Sequence, residues 1–254
     1  MAQHDKHPLE VKNLRKEFGG VIAVKDCSFN VKENQIIALI GPNGAGKTTM
    51  FNMITGYIQP TKGKIIYQEK EITRYAPQKR VKIGFSRTFQ QVKIFQNMTI
   101  LENMLVAMKN NEVPWATIFS PQKVKVQEEE NTAKAKELLK MVKLEGKENK
   151  LAKNLSYGQQ KLLEIVRAVA VECTLLLLDE PAAGVNLTML KTIKELLLTL
   201  KKKGLTILFI EHNMEFVMDI ADTVVVMDYG EEIAVGTPKE IRKNKRVIEA
   251  YLGT

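Results

Sequence analysis

Eight consecutive residues carry the strongest chemical signal in the chain. Gly41, Pro42, Asn43, Gly44, Ala45, Gly46, Lys47 and Thr48 match G-x-x-x-x-G-K-[ST] in full, and Thr49 follows them. Glycines let a backbone wrap closely enough for successive N–H groups to face phosphate oxygens, and a helix opening at the lysine adds its positive end. Lys47 brings an ammonium suited to β- and γ-phosphates, and Thr48 a hydroxyl suited to Mg²⁺. A phosphate loop of this kind needs a carboxylate from a neighbouring strand. Leu175-Leu176-Leu177-Leu178-Asp179-Glu180 supplies it, with four apolar residues to bury the strand and acids at its carboxyl end, where ligands bind in such sheets. Asp179 is the expected magnesium residue, directly or through water. Glu180 is the group expected to polarise a water attacking the γ-phosphate.

This chemistry requires a strand immediately before the glycines and a helix immediately after them. Ile36 to Ile40 is an unbroken β-branched and leucine run, the pattern of a strand buried on both faces, and Thr48 to Thr55 reads as a helix ended by Gly56. Upstream, Leu9 to Phe18 and Cys27 to Val31 read as strands of an N-terminal sheet broken by Gly19-Gly20. Thr61 to Gly63 reads as a hairpin turn leading into Lys64 to Tyr67. Asn97 to Met108 reads as helix, and Lys109 to Gln127, with Pro114, Trp115 and Pro121, as a long irregular insertion. Ala135, Leu138, Leu139 and Val142 then form one apolar stripe, and a second helix begins near Ser156 with Leu162, Ile165, Val166 and Val169 on one side. From Leu175 onward the element types alternate. Leu175 to Leu178 is a strand, and Leu190, Ile193, Leu197 and Leu200 line a helix stopped by Gly204. Leu205 to Ile210 is a strand, Met214 to Asp219 a helix and Val224 to Met227 a strand. A turn at Asp228 to Gly230 precedes a helical tail from Lys239 to Tyr251. Strands separated by helices predict a parallel α/β sheet. The reading is one domain over 1–254, with a helical subdomain at approximately 90–165.

Composition bounds the alternatives. The 254 residues are 44% apolar, enough for a real core, and no run approaches the roughly 18 apolar residues of a membrane-spanning helix. Lys plus Arg is 38 and Asp plus Glu 29, a net charge of +9. Lysines 123, 125, 134, 136, 143, 147, 150 and 153 alternate with glutamates, which reads first as a solvated face. An anionic membrane surface and nucleic acid are weaker readings of the same charge. The polar N-terminus has no apolar stretch behind it, which argues against a signal peptide. Cys27 and Cys173 lie far apart with no partners at metal-site spacing, against a disulfide framework or a zinc site and for a reducing compartment.

With these motifs in order, the chain resembles the nucleotide-binding subunit of an ATP-binding-cassette (ABC) transporter over essentially its whole length. The resemblance implies a P-loop NTPase core with a mostly parallel sheet, an N-terminal antiparallel β subdomain and an inserted helical subdomain. It implies an ATPase with ATP and Mg²⁺ as cofactors, and it assigns further residues. Phe18 matches the aromatic that stacks on adenine, although many members have Tyr there. Gln90, in Arg87-Thr88-Phe89-Gln90, matches the glutamine that touches Mg²⁺ and the attacking water. Ser156, Tyr157, Gly158 and Gln159, after Leu155, stand where the family signature has Ser-Gly-Gly-Gln, a second anion site that contacts ATP bound to another copy. Tyr157 departs from the usual Gly. Asn186 ends Ala183-Gly184-Val185-Asn186, the D-loop, where most members have Asp, and His212 matches the switch histidine that bonds the γ-phosphate.

In that family the two anion sites lie on opposite edges, so two ATP molecules join a head-to-tail pair, either a homodimer or a heterodimer with a paralogous ATPase. Two separate membrane permease subunits are implied, with a solute-binding protein acting indirectly through them, at the cytoplasmic side of the cell membrane and with no nucleic acid. The groove for the permease maps to Val92, Ile94, Phe95, Met98 and Ile100, with Phe95 the favoured exposed group. Gln160 after the signature, Pro181 to Asn186, and the ending Val247-Ile248-Glu249-Ala250-Tyr251-Leu252-Gly253 resemble the larger ATPase of branched-chain amino acid importers. Alternatives are the ATPase of a lipopolysaccharide or other-solute transporter, and a non-transport mechanical ATPase of the same fold acting on nucleic acid or ribosomes. A scaffold that binds ATP without hydrolysis fits less well, because Glu180 and His212 are both present.

Overall fold

A computed structural model describes residues 8–108 and 121–252. They fall into two compact units. One comprises the described parts of Met1–Arg87, Cys173–Ala183 and Leu197–Thr254, the other those of Thr88–Glu172 and Gly184–Leu196.

The first unit holds two sheets. β1 (Leu9–Phe18) turns at Gly19-Gly20 into β2 (Val21–Val31), which begins six residues before the predicted strand. With β4 (Lys62–Tyr67) and β5 (Lys70–Glu71) they form an antiparallel sheet in the order β2-β1-β4-β5. Lys62 and Gly63 belong to β4 rather than to the expected hairpin turn. Gly63 has φ +90 against the irregular stretch of β1, and a Cβ there would come within 2.2 Å of the Asn13 carbonyl oxygen. The register break needs a glycine, and no turn is made.

The second sheet takes β3 (Ile36–Ile40), β6 (Phe85–Arg87), β7 (Leu175–Asp179), β8 (Thr206–Ile210), β9 (Thr223–Asp228) and β10 (Glu231–Gly236) in the order β10-β9-β3-β8-β7-β6. Every neighbouring pair is parallel except β10 with β9. The antiparallel edge strand β10 and the short β6 are elements that the sequence reading did not name. β3, β7 and β8 are buried at every position, as their unbroken apolar runs require. Ile210 pairs with Leu39 on one side and Asp179 on the other, so the carboxyl ends of β3, β8 and β7 stand level.

Helices of the described chain are α1 (Lys47–Ile54), α2 (Pro77–Lys82), α3 (Ile100–Met108), α4 (Pro121–Met141), α5 (Tyr157–Ala170), α6 (Leu187–Lys202), α7 (Met214–Ile220), α8 (Pro238–Lys243) and α9 (Lys245–Leu252). α3 starts at Ile100, not Asn97, because Thr99 and Glu102 exchange side-chain-to-backbone bonds of 3.1 and 2.7 Å and fix the first turn. α4 already covers residues 121–127, the end of the stretch read as irregular; residues 109–120 of that reading lie outside the described residues. The side chain of Arg80, on α2, is 1% exposed and unites the end of α1 with the chain around β5. It donates to the carbonyls of Met53 (2.9 Å), Ile54, Ile72 (3.0 Å), Thr73 (3.0 Å) and Tyr75 (3.0 Å).

In the second unit α3, α4 and α5 pack on one another. Ala135, Leu138, Leu139 and Val142 are buried as a stripe, with Leu162, Ile165 and Val166 of α5 also buried, while lysines 125, 134, 136, 143, 150 and 153 are exposed.

Candidate functional site

The carboxyl ends of β3, β8, β7 and β6 bring most of the sequence-predicted chemistry of the first unit to one rim. β3 runs into Gly41, whose φ of +151 accompanies a packing constraint: a Cβ there would lie 2.0 Å from the Met227 carbonyl oxygen. Gly46, at φ +94, is the residue before α1, and a Cβ would approach the Ala23 carbonyl oxygen to 2.4 Å. The loop is therefore wedged between β9 and β2 at positions that only glycine fits. Ala45 N–H donates to the Pro42 carbonyl at 3.2 Å, and Gly46 accepts from Met50 N–H at 2.9 Å, opening the helix.

Lys47 is the first residue of α1 and only 6% exposed. Its Nζ donates to the Gly41 and Pro42 carbonyls, both at 2.8 Å, so the ammonium lies across the loop. Burial lowers its pKa from the ordinary lysine value, with the charge of Glu180 acting in the opposite direction. Asn43, Gly44 and Thr48 are exposed and Thr49 is half-buried, so the loop presents its middle and its hydroxyls to solvent.

β7 ends in Asp179, buried, and Glu180. Glu180 adopts φ +50, a left-handed conformation rare for a residue with a side chain, and its N–H donates to the Ile210 carbonyl at 3.0 Å. The strained turn aims the carboxylate at His212, whose Nε2 lies 3.2 Å from Glu180 Oε1. Glu211 makes that meeting possible, although its role was not read from sequence. Its buried carboxylate accepts from Ala182 N–H (2.6 Å), His212 N–H (3.0 Å) and Asn213 N–H (3.2 Å), tying the end of β8 to the turn after β7. Arg87, at the end of β6, was quoted only as part of a motif. Its Nη2 donates to Asp179 Oδ2 at 3.0 Å. Phe18 stands at the tip of the β1–β2 turn, 45% exposed, with the Lys16 ammonium 4.8 Å from its ring. An exposed ring of this kind is not a core residue.

The C-terminal helix also reaches this rim. Arg246, Glu249 and Ala250 of α9 line a cavity of about 470 Å³ with Pro42, Asn43, Gly44 and Ala45. Partial burial pushes the Tyr251 hydroxyl up to about 12, a hydrogen bond with the Gly41 backbone opposing it.

The remaining predicted residues belong to the second unit. Gln90 is exposed in a bend. Ser156 caps α5: its Oγ accepts from Gln159 N–H at 3.4 Å while Gln159 Oε1 accepts from Ser156 N–H at 3.1 Å. Gly158 has no room for a side chain, since a Cβ would stand 2.6 Å from Met189 Cγ. Tyr157 is half-exposed, and its ring covers Gly184, where a Cβ would come to 3.1 Å. The signature tyrosine thus packs on the D-loop of its own chain. Asn186 Oδ1 accepts from Met189 N–H at 2.9 Å, a helix cap that a neutral amide fills as well as a carboxylate.

Phe95 is 50% exposed, yet its backbone is held firmly. Asn103, buried on α3, accepts from Phe95 N–H and donates to the Phe95 carbonyl, both at 2.9 Å. Two residues earlier, Glu164 of α5 accepts from Lys93 N–H at 3.0 Å, and Arg167 donates to the Lys93 carbonyl. Burial raises the Glu164 pKa, partly offset by that backbone bond. Of the five residues read as the permease groove, only Ile100 is fully buried; Val92, Ile94 and Met98 are half-buried.

Comparison with known proteins gives the family of the chain. The family described as ABC transporter matches residues 24–183, and that described as Branched-chain amino acid ATP-binding cassette transporter matches residues 231–254. The chain is 43% identical to the high-affinity branched-chain amino acid transport ATP-binding protein BraF of Pseudomonas aeruginosa, over 96% of this chain and 97% of that one. It is 41% identical, with the same coverage, to LivG of Salmonella typhimurium. A nucleotide-free ATP-binding cassette from an ABC transporter superposes with a TM-score of 0.84 at 34% identity, covering 98% of this chain and 100% of that one. The ADP conformation of such a cassette gives 0.85 at 34%, with the same coverage. Among the described residues no helix is long and apolar enough to cross a membrane. With a family match over most of the chain and relatives alike along nearly their whole length, this chain belongs to the ABC transporter family as an ATP-binding subunit homologous to LivG and BraF.

Proposed function

We propose that this chain binds and hydrolyses ATP to drive an importer of branched-chain amino acids. The observation that carries the chemistry is the contact of Glu180 with His212 just past the level carboxyl ends of β7 and β8, beside β3, whose following loop ends in Lys47 at the start of α1. The solute class rests on likeness to LivG and BraF along 96% of the chain and on the C-terminal match at 231–254.

In this reading the N–H groups from Asn43 to Thr49 cradle the phosphates, Lys47 leaves its two carbonyls for the β- and γ-phosphates, and Phe18 stacks on the adenine. Asp179 and the Thr48 hydroxyl are hard oxygen donors of the type Mg²⁺ prefers, with Gln90 as a third. Mg²⁺, when bound, supplies charge neutralisation on the phosphates. Glu180 accepts the proton of the attacking water, and His212 holds both Glu180 and the γ-phosphate. Ser156, Tyr157, Gly158 and Gln159 face the nucleotide of a second ATPase, identical or paralogous, with Asn186 beside them. The helical subdomain, approximately residues 90–165, presents Phe95 to two permease subunits at the cytoplasmic side of the membrane. A +9 charge suits work beside anionic headgroups.

The test is Glu180→Gln, which keeps shape and hydrogen-bonding atoms and removes the base. Expected are unchanged ATP binding, hydrolysis down by at least about a hundredfold, and a shift to twice the monomer mass in gel filtration with ATP and Mg²⁺ that the unaltered protein does not show. A monomeric E180Q that binds ATP normally refutes the two-site pair.

A further inference from the structure

Asp179 is a buried carboxylate, and a buried carboxylate needs a compensating charge before any nucleotide or metal arrives. Arg87 supplies it. Its Nη2 donates to Asp179 Oδ2 at 3.0 Å, and both side chains are nearly closed to solvent, at 11% and 8% exposure. The other amino group does not point to water. Nη1 donates to Asn52 Oδ1 and Thr55 Oγ1, both at 2.8 Å, on the last turn of α1 and the residue that caps it. The guanidinium lies 5.3 Å from the Phe51 ring and 5.4 Å from the Tyr57 ring. Thr55 is itself fixed, donating from Oγ1 to the Phe51 carbonyl at 2.7 Å. One planar fork therefore joins the strand that ends in Asp179 to the helix that begins at Lys47, a geometry that lysine cannot reproduce.

We propose that Arg87 is a positioning residue for the hydrolysis site: it fixes Asp179 relative to the phosphate-binding helix and cancels the Asp179 charge, so that a polyphosphate can enter before its metal. This rests on the nucleotide reading above. Metal-free ATP is highly anionic, and an uncompensated Asp179 repels it. With Mg²⁺ present the carboxylate has a cation of its own, and Arg87 matters less. The signature of the role is thus a ratio, ATP affinity with Mg²⁺ over ATP affinity in EDTA, which a loss of packing alone does not move.

The experiment measures that ratio on the purified chain by ATP titration for the unaltered protein, Arg87→Gln, Asp179→Asn and the double variant, with a thermal melt of each. R87Q is expected to raise the ratio by about tenfold, the loss falling on metal-free ATP, and to have no such effect once Asp179 is already Asn. Equal losses in both buffers, or the same rise in the D179N background, overturn the proposal. If R87Q does not fold, Arg87→Lys is read instead: it keeps the charge and loses the fork, so the ratio stays at the unaltered value, and a tenfold rise overturns the proposal. Lys47→Ala run alongside separates the two claims. If K47A loses ATP while R87Q leaves the ratio unchanged, only the Arg87 role fails; if K47A binds ATP normally, the nucleotide site itself is wrong.

Discussion

Replacing Arg80 by Met asks how much of this fold hangs on one buried cation whose guanidinium donates to five backbone carbonyls. Burial lowers the guanidinium to about 10, well above neutrality, so it stays charged and is stabilised by carbonyl oxygens alone. Two of its five acceptors keep another donor in R80M: Met53 O still receives Gly56 N–H at 3.1 Å, and Ile72 O receives Tyr75 N–H at 2.9 Å. The carbonyls of Ile54, Thr73 and Tyr75 lose the Arg80 bond. Each unsatisfied buried carbonyl costs about 1–3 kcal/mol, for a gross loss of about 3–9 kcal/mol. Methionine recovers part of it, because the desolvation of a buried charge is no longer carried. A net loss of about 3–5 kcal/mol follows, and at about 2–4 °C per kcal/mol for a chain of this length the melting temperature drops by about 10 °C. The C-terminal end of α1 also loses the positive charge that suits it. The assay is a thermal melt of R80M beside Arg80→Lys, which keeps charge without the fork and is expected between the two. An R80M melt within about 2 °C of the unaltered protein refutes the argument.

Three further outcomes are expected. Lys47→Ala lowers both ATP affinity and phosphate release, since charge-assisted contacts to phosphate are among the strong ones; unchanged values in both assays mean the loop does not hold nucleotide. Phe95→Ser leaves the melt within about 4 °C, because half the ring is already in water and Asn103 holds the backbone, while copurification with the permeases falls; a much lower melt makes Phe95 a core residue, and full copurification moves the groove elsewhere. Cys27, fully buried with its thiol pushed up to about 12, stays unmodified by a maleimide at neutral pH until the protein is unfolded, whereas the partly exposed Cys173 reacts; early labelling of Cys27 contradicts its burial.

The sequence disclosed what is local. The phosphate loop announces itself because all its chemistry lies within eight residues, and β3, β7, β8 and β9 because strands buried on both faces must be apolar throughout. Pro121 reads as a breaker, yet it lies within the described helix α4. The mixed run Lys125-Val126-Gln127 carries no apolar period of its own, so the start of the helix is not legible from the sequence. β6 is three residues long, too short for any pattern. Arg80 and Arg87 look like two more cations in a basic stretch. Their partners lie up to 27 and 92 residues away, and no spacing rule links them. Glu211 escaped for the same reason, its carboxylate being committed to a backbone 29 residues back.

The run Leu175 to Leu178 has a further consequence for assembly. Four identical buried side chains give a strand no preferred alignment, because a shift by one residue still places leucine at most inward positions. Such a slip would carry Asp179 about 3.3 Å along the sheet and turn it to the opposite face. What distinguishes the correct alignment are the polar marks at either end: Thr174, whose carbonyl takes Thr206 N–H at 3.3 Å, and Asp179, which meets Arg87. The carboxylate is therefore also a stop for the sliding strand. Variants that neutralise it should be judged for folding fidelity as well as for turnover, since a mis-threaded β7 would yield a soluble, compact and chemically silent protein.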